Sequence, residues 1–150
     1  MSVYKILTEP DPVLRQKALP VKNINAGVLR VLENMRDTMY LADGIGLAAP
    51  QIGVSKRIIV VDPGDNLVVL INPEIILLEG EMSGTEGCLS VPGKVGWLTR
   101  AQKIIVQGLN PQGESVELEA FNLLARVIQH EIDHLDGILF PDKATRIRID

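Results

Sequence analysis

Along residues 25–42, NAGVLRVLENMRDTMYLA, apolar side chains recur at Val28, Leu32, Met35, Met39 and Ala42. Steps of four and three residues keep one face of a helix apolar. Asn25 supplies an N-cap for that helix, and Asp43–Gly44 supplies a stop. A short helical turn is expected in DPVLRQKA (11–18), opening after Pro12. Runs rich in Val and Ile then read as strands: 57–62, 66–73, 74–80, 103–109 and 115–121. They are separated by PGD, NP, SG and NPQG, each a turn signal. Helical periodicity returns in FNLLARVIQHEIDHLDG (121–137), with Asn122 as N-cap and Gly137 just past the end. A helix, several strands and a second helix, without strict βαβ alternation, predict an α+β fold. In it, antiparallel strands pack around a central helix.

Composition narrows the class. The chain has 150 residues, which predicts one domain spanning 1–150. A net charge of −4 argues against DNA or RNA backbone binding. No apolar run approaches the roughly 18 residues of a membrane span. The N-terminal MSVYKILTEPDPVLRQK lacks a basic stretch followed by an apolar one, so no secretory signal is expected and the location is read as cytoplasmic. A single cysteine, Cys88, rules out an intrachain disulfide and suits a reducing compartment.

The candidate chemistry lies on the second helix. His130, Glu131 and His134 spell H-E-x-x-H. At 3.6 residues per turn, Leu123, Val127, His130 and His134 share a narrow arc, placing two imidazoles beyond two aliphatic side chains. Glu131 lies one step round, able to reach a water in an open position without binding a metal itself. Both histidines of the chain belong to this motif.

Two histidines leave the site incomplete. The pattern H-E-x-x-H-x-x-G-x-x-H is followed as far as Gly137, but position 140 is Phe. No glutamate follows His134, and Asp136 is too close along the helix to share the metal comfortably. The third ligand is therefore expected upstream. Cys88, in GTEGCLSVPG, is the only soft ligand available; Gly84 and Gly87 allow close backbone approach, and Pro92 is read as stopping the strand. Cys–His–His with a fourth position for water is a catalytic pattern of ligands.

Three segments together resemble the peptide deformylase family: GIGLAAPQIG (44–53), EGCLS (86–90) and QHEIDHLDG (129–137). They stand in the family's order, and PDPVLRQKA is similar to its N-terminal region. The resemblance implies a peptide-deformylase-like fold and hydrolysis of the N-formyl group from the N-terminal methionine of nascent polypeptides. It implies that Cys88, His130 and His134 hold one divalent metal ion. Ferrous iron (Fe2+) is the usual choice, with Ni2+, Co2+ or Zn2+ in preparations. Glu131 would be the acid/base, with Gln51 and the backbone N–H of Leu89 stabilising the oxyanion. Ile45, Gly46, Leu123 and Val127 would line the methionine pocket, with backbone groups of Ile45 and the flexible Gly46 pairing to an extended peptide.

Other positions extend this reading. Glu86 and Arg100 are expected to pair and brace the ligand loop. Arg126 stands where many relatives carry an aliphatic residue, its stem closing a pocket wall or facing solvent. Thr99 and Val95 depart from the family's proline and arginine. The chain stops at Asp150 without the long C-terminal helix that some bacterial members use near the ribosome, which leaves ribosome docking open, with a transient association as the expectation. A small basic cluster, Lys143, Arg146 and Arg148, lies there. Two other readings stay open: a different metal-dependent amide hydrolase, and a domain that binds formyl peptides without turnover.

Overall fold

A computed structural model describes residues 3–64 and 66–150. In chain order it contains α1 (Ala26–Leu41), β1 (Gly46–Ala48), β2 (Ile58–Val61), β3 (Val68–Glu79), β4 (Met82–Cys88), β5 (Val91–Arg100), β6 (Lys103–Leu109), β7 (Ser115–Phe121), α2 (Asn122–Leu135), α3 (Phe140–Lys143) and β8 (Arg146–Ile149). Single 3-10 turns occupy Pro12–Arg15 and Ala49–Ile52. The strands form two antiparallel sheets, β1-β2-β3-β6-β7 and β4-β5-β8. No helix among the described residues is long and apolar enough to cross a membrane.

The five-stranded sheet carries a helix on each face. Ile59, Val61, Leu70, Ile104 and Val106 pack against Ala125, Ile128, Ile132 and Leu135 of α2. Ile58, Val60 and Ile71 instead meet Leu32, Met35 and Met39 of α1. Adjacent strand residues point to opposite faces, so a strand buried on both sides must be apolar throughout. That is why β2 reads IIVV. A third core, Val91, Leu98, Leu139 and Phe140, seats the small sheet. The expected α+β architecture around a central helix is borne out.

Several boundaries differ from expectation. Residues 66–73 and 74–80 are not two strands: β3 runs through Asn72–Pro73 as a bulge, with its register shifting between Ile71 and Glu74. Asn72 sits at φ 54°; its side chain accepts from Val21 N–H at 2.8 Å and donates to Val21 C=O at 2.9 Å. Pro92 does not stop a strand but is the second residue of β5. Phe121, not Asn122, stands at the N-cap position of α2, without a side-chain capping bond; Asn122 turns the corner at φ 54°, its N–H donating to Gln102 O at 2.9 Å. Asn25 does cap α1, accepting from Val28 N–H at 3.0 Å.

The N-terminal segment ties the site together from outside. Leu7 N–H donates to Gln51 O at 2.7 Å, and Ala18 N–H to Leu135 O at 2.8 Å. Arg57 satisfies the C-terminal end of α2, donating to Leu135 O at 3.0 Å and Asp136 Oδ1 at 2.9 Å, where a cation is favoured by the helix dipole. Gly137 follows at φ 76°, and a Cβ there would stand 2.5 Å from Arg15 O. Gly137→Ala is expected to cost roughly 2–4 kcal/mol, from the left-handed conformation and a backbone clash. A lower denaturant midpoint at unchanged slope would register it.

Candidate metal centre

α2 delivers His130 to the lining of a cleft of about 520 Å³, with His134 buried one turn further on. The expected periodicity holds, with His130 and His134 one turn apart and buried. Cys88 comes from the end of β4, where the chain turns toward β5. Its Sγ lies 3.3 Å from His134 Nε2. Sγ and one ring nitrogen of each histidine all lie within 4.8 Å of one another. Metal–sulfur bonds near 2.3 Å and metal–nitrogen bonds near 2.0–2.1 Å require donor separations of this order.

Electrostatics favour a cation at that spot. Glu86 is buried among donors: Arg100 reaches it through Nε (2.8 Å) and Nη2 (2.9 Å), Arg126 through Nη1 (2.5 Å), and His130 through Nδ1 (2.8 Å). Burial alone would raise its pKa, but the bonds from Arg100 and His130 outweigh it and hold Glu86 well below the usual carboxylate range. Because an ionised Glu86 can only accept, Nδ1 of His130 carries a hydrogen and Nε2 is left for a metal.

Burial also disfavours a charged His130, yet bonds to Cys88 and Glu86, and the charge of Glu131, push its pKa up to about 10. Without a metal, the site therefore gathers a proton. Metal binding is coupled to that proton's release. Burial and the neighbouring His130 and Arg100 keep His134 well below its ordinary value, hence neutral and fit to ligate.

Glu131 is fully enclosed, and its Oε1 has no hydrogen-bond partner among the described residues. Burial above all, then the charges of Glu86 and Asp133, push its pKa up to about 7 against the pull of His130 and Arg100. An unpartnered buried carboxylate beside three metal-type donors fits a site built to hold a cation and a water. Its other oxygen explains Gly46: a Cβ there would stand 2.5 Å from Glu131 Oε2 and 2.7 Å from Val127 Cγ1. Gly46 is needed for close approach rather than flexibility.

The remaining expected residues converge on the same cleft. Gln51, Leu89, Leu123, Val127, Ile45 and Gly46 all line it. Gln51 is oriented by Ala48, whose N–H donates to Oε1 at 2.9 Å, so the amide nitrogen faces Ser90 Oγ (3.1 Å) and Cys88 Sγ (3.8 Å). Ile45 contributes its side chain, but its carbonyl accepts from Asp62 N–H at 2.9 Å. In an antiparallel pair a residue's N–H and C=O point to one side, so Ile45 faces β2 and Gly46 faces the cleft. The Ile45 carbonyl is thus engaged within the sheet. Gly84 does allow close approach, by Arg126, whereas a Cβ on Gly87 would meet only Lys94 O at an ordinary 3.8 Å.

Sequence reasoning missed two contributors. Asp133, inside the H-E-x-x-H segment, accepts from Arg100 Nη1 at 2.6 Å and from Lys143 Nζ at 3.0 Å. Ser90 receives the Gln51 amide, and its N–H donates to Cys88 Sγ at 3.4 Å. Asp133 could have been found, since a charged residue at i+3 from His130 on a largely buried helix needs a partner.

Comparison with known proteins agrees with this geometry. Residues 3–149 match the family described as Polypeptide deformylase. The peptide deformylase of Syntrophomonas wolfei is 65% identical, over 100% of this chain and 99% of its own length. That of Carboxydothermus hydrogenoformans is 57% identical, over 98% and 97%. This chain belongs to the polypeptide deformylase family. It is a hydrolase that removes the N-formyl group from nascent peptides. Among solved structures, the deformylase from Thermotoga maritima superposes with a TM-score of 0.94 at 42% identity, covering 97% of this chain and 100% of its own. The actinonin-bound deformylase of Acinetobacter baumannii gives 0.92 at 38% identity, covering 97% and 100%.

Proposed function

We propose that residues 1–150 form one catalytic domain that hydrolyses the formyl group of formyl-methionyl nascent peptides at the Cys88–His130–His134 centre. The observation that carries this reading is the convergence of three metal-type donors with the unpartnered Glu131 Oε1 beside one cleft. Thiolate and imidazole suit ferrous iron, cobalt, nickel or zinc, and ferrous iron is the ion we assign. When bound, a divalent ion acts as a Lewis acid and makes water a nucleophile near neutral pH.

The chain's own groups supply the rest. Glu131, enclosed beside the three donors, accepts a proton from the attacking water and returns it to the departing α-amine. The Gln51 amide and the Leu89 N–H meet the negative charge that grows on the formyl oxygen. β1 and β4 are each the end strand of a sheet, and both border the cleft. An extended peptide lies between them, adding to the β1 edge through Gly46. Leu123 and Val127 on α2, with the Ile45 side chain, close around the methionine side chain.

Such a substrate places the protein in the cytoplasm. Transient ribosome association would use the exposed Arg146 and Arg148 of β8. Lys143 is less available, being held by Asp133.

Formate release from formyl-Met-Ala-Ser, followed without oxygen, tests the reading; a Met-Ala-Ser complex is known for the Acinetobacter baumannii deformylase. Metal-stripped protein is expected to be inactive, with turnover restored by one equivalent of ferrous iron or nickel per chain. A folded protein holding one metal but releasing no formate would leave only a peptide-binding domain. Cleavage of internal peptide bonds regardless of the formyl group would make it another amide hydrolase.

A further inference from the structure

Arg126 lies on α2, one turn before His130, and lines the cleft beside Leu123 and Val127. It is not a solvent-facing arginine: its side chain is 11% exposed. Nη1 donates to Glu86 Oε2 at 2.5 Å and Nη2 to Met82 O at 3.1 Å. A Cβ on Gly84 would stand 3.4 Å from Nη2, so the missing side chain there lets the guanidinium lie flat across β4. Glu86 needs no second arginine for neutralisation, because Arg100 already binds it through two nitrogens. A guanidinium carries five N–H donors. Two are used here, and the other three have no protein acceptor among the described residues.

A pocket for a purely hydrocarbon side chain gains nothing from such a wall. Donors left unpaired against an apolar group cost free energy, and sites built to hydrogen-bond a substrate reject analogues lacking the acceptor. We propose that Arg126 is a specificity-determining residue: its spare N–H groups face the end of the substrate's first side chain and favour one that ends in a hydrogen-bond acceptor. The thioether of methionine is a weak acceptor. The sulfoxide of oxidised methionine is a strong one, and norleucine, with CH2 in place of sulfur, is none. The protein therefore deformylates peptides that begin with oxidised formyl-methionine and works less well on formyl-norleucine. This rests on the reading that the cleft holds the first side chain of a formyl peptide.

The test compares kcat/KM for formyl-Met-Ala-Ser, its methionine-sulfoxide form and its norleucine form, using metal-loaded protein. Wild type is expected to prefer the sulfoxide over norleucine by about tenfold, the effect of one hydrogen bond to a charged donor. Arg126→Leu should erase or reverse that ratio. Arg126→Lys, which keeps the charge but loses the planar fork, should fall between. A wild-type ratio of one or below overturns the proposal without any variant. So does an equal fall for all three substrates in Arg126→Leu, which would make Arg126 only a brace for β4. Failure of wild type to turn over formyl-Met-Ala-Ser at all would instead sink the deformylase reading beneath it.

Discussion

Glu131→Gln is expected to lower kcat for formate release by about 10²–10⁴-fold, the usual contribution of a positioned acid/base, while one metal per chain stays bound. The substitution keeps the shape of the side chain and removes only its capacity to take and return a proton. KM should change little, because Glu131 lies under the cleft and the peptide is held by strand edges and apolar walls. A second readout comes from stability without metal. Glu131 is pushed up to about 7 in the folded chain, from an ordinary 4.5. Folding therefore favours its protonated form, and that stability is fully present below about pH 4.5. It is lost as pH rises toward 7, to the extent of about 3 kcal/mol. The glutamine variant has no proton to lose. Metal-free Glu131→Gln should match wild type near pH 4.5 and exceed it in denaturant resistance above pH 7. Retained turnover would remove Glu131 from the chemistry. An unchanged stability difference across that range would mean that its burial does not govern its charge.

How much of this was legible depended on whether a residue's role was local. The H-E-x-x-H helix could be read because its periodicity and chemistry coincide on one stripe, Leu123 to His134. β2 could be read as a strand because burial on both faces demands an unbroken apolar run. β4 and β5 were not assigned, although they carry Cys88. MSGTEGC has two glycines and no β-branched apolar run, and it is a strand because it pairs with β5 from Met82↔Arg100 to Glu86↔Gly96. That partner lies beyond any local window. Asn72–Pro73 has real turn chemistry, but Val21 supplies the Asn72 side chain with strand-like bonds and turns the break into a bulge. Gly46 shows the same limit. Its sequence suggests freedom, while its reason is the nearness of Glu131 and Val127, 81 and more residues away along the chain.

Arg100→Met is the second large effect expected, and it acts on stability and on the metal together. The Arg100 side chain is 3% exposed and joins two buried acids, Glu86 and Asp133. Methionine fills similar space but leaves both carboxylates short of donors. Removing one member of a buried charge network costs about 3–5 kcal/mol, because the remaining charge stays desolvated. Glu86 keeps Arg126 and His130, and Asp133 keeps Lys143, so the fold is expected to survive with a lowered denaturant midpoint. The acid side of the stability profile should move as well. Glu86 is depressed in the native chain, so its contribution is present above the ordinary carboxylate value and lost as pH falls. Without Arg100 its native pKa rises, the contribution shrinks, and its loss as pH falls is complete at a higher pH. As Glu86 becomes a weaker and less fixed acceptor, the bond from Nδ1 of His130 that aims Nε2 at the centre loosens. Metal affinity should then drop about 10–100-fold, as when other outer partners of a ligating histidine are removed. Competition with a chelator measures that drop separately from unfolding. A destabilised variant with unchanged affinity would make the Glu86–Arg100 pair a brace for β4 and β5 alone. A joint loss would show that stability and metal orientation depend on the same buried charges.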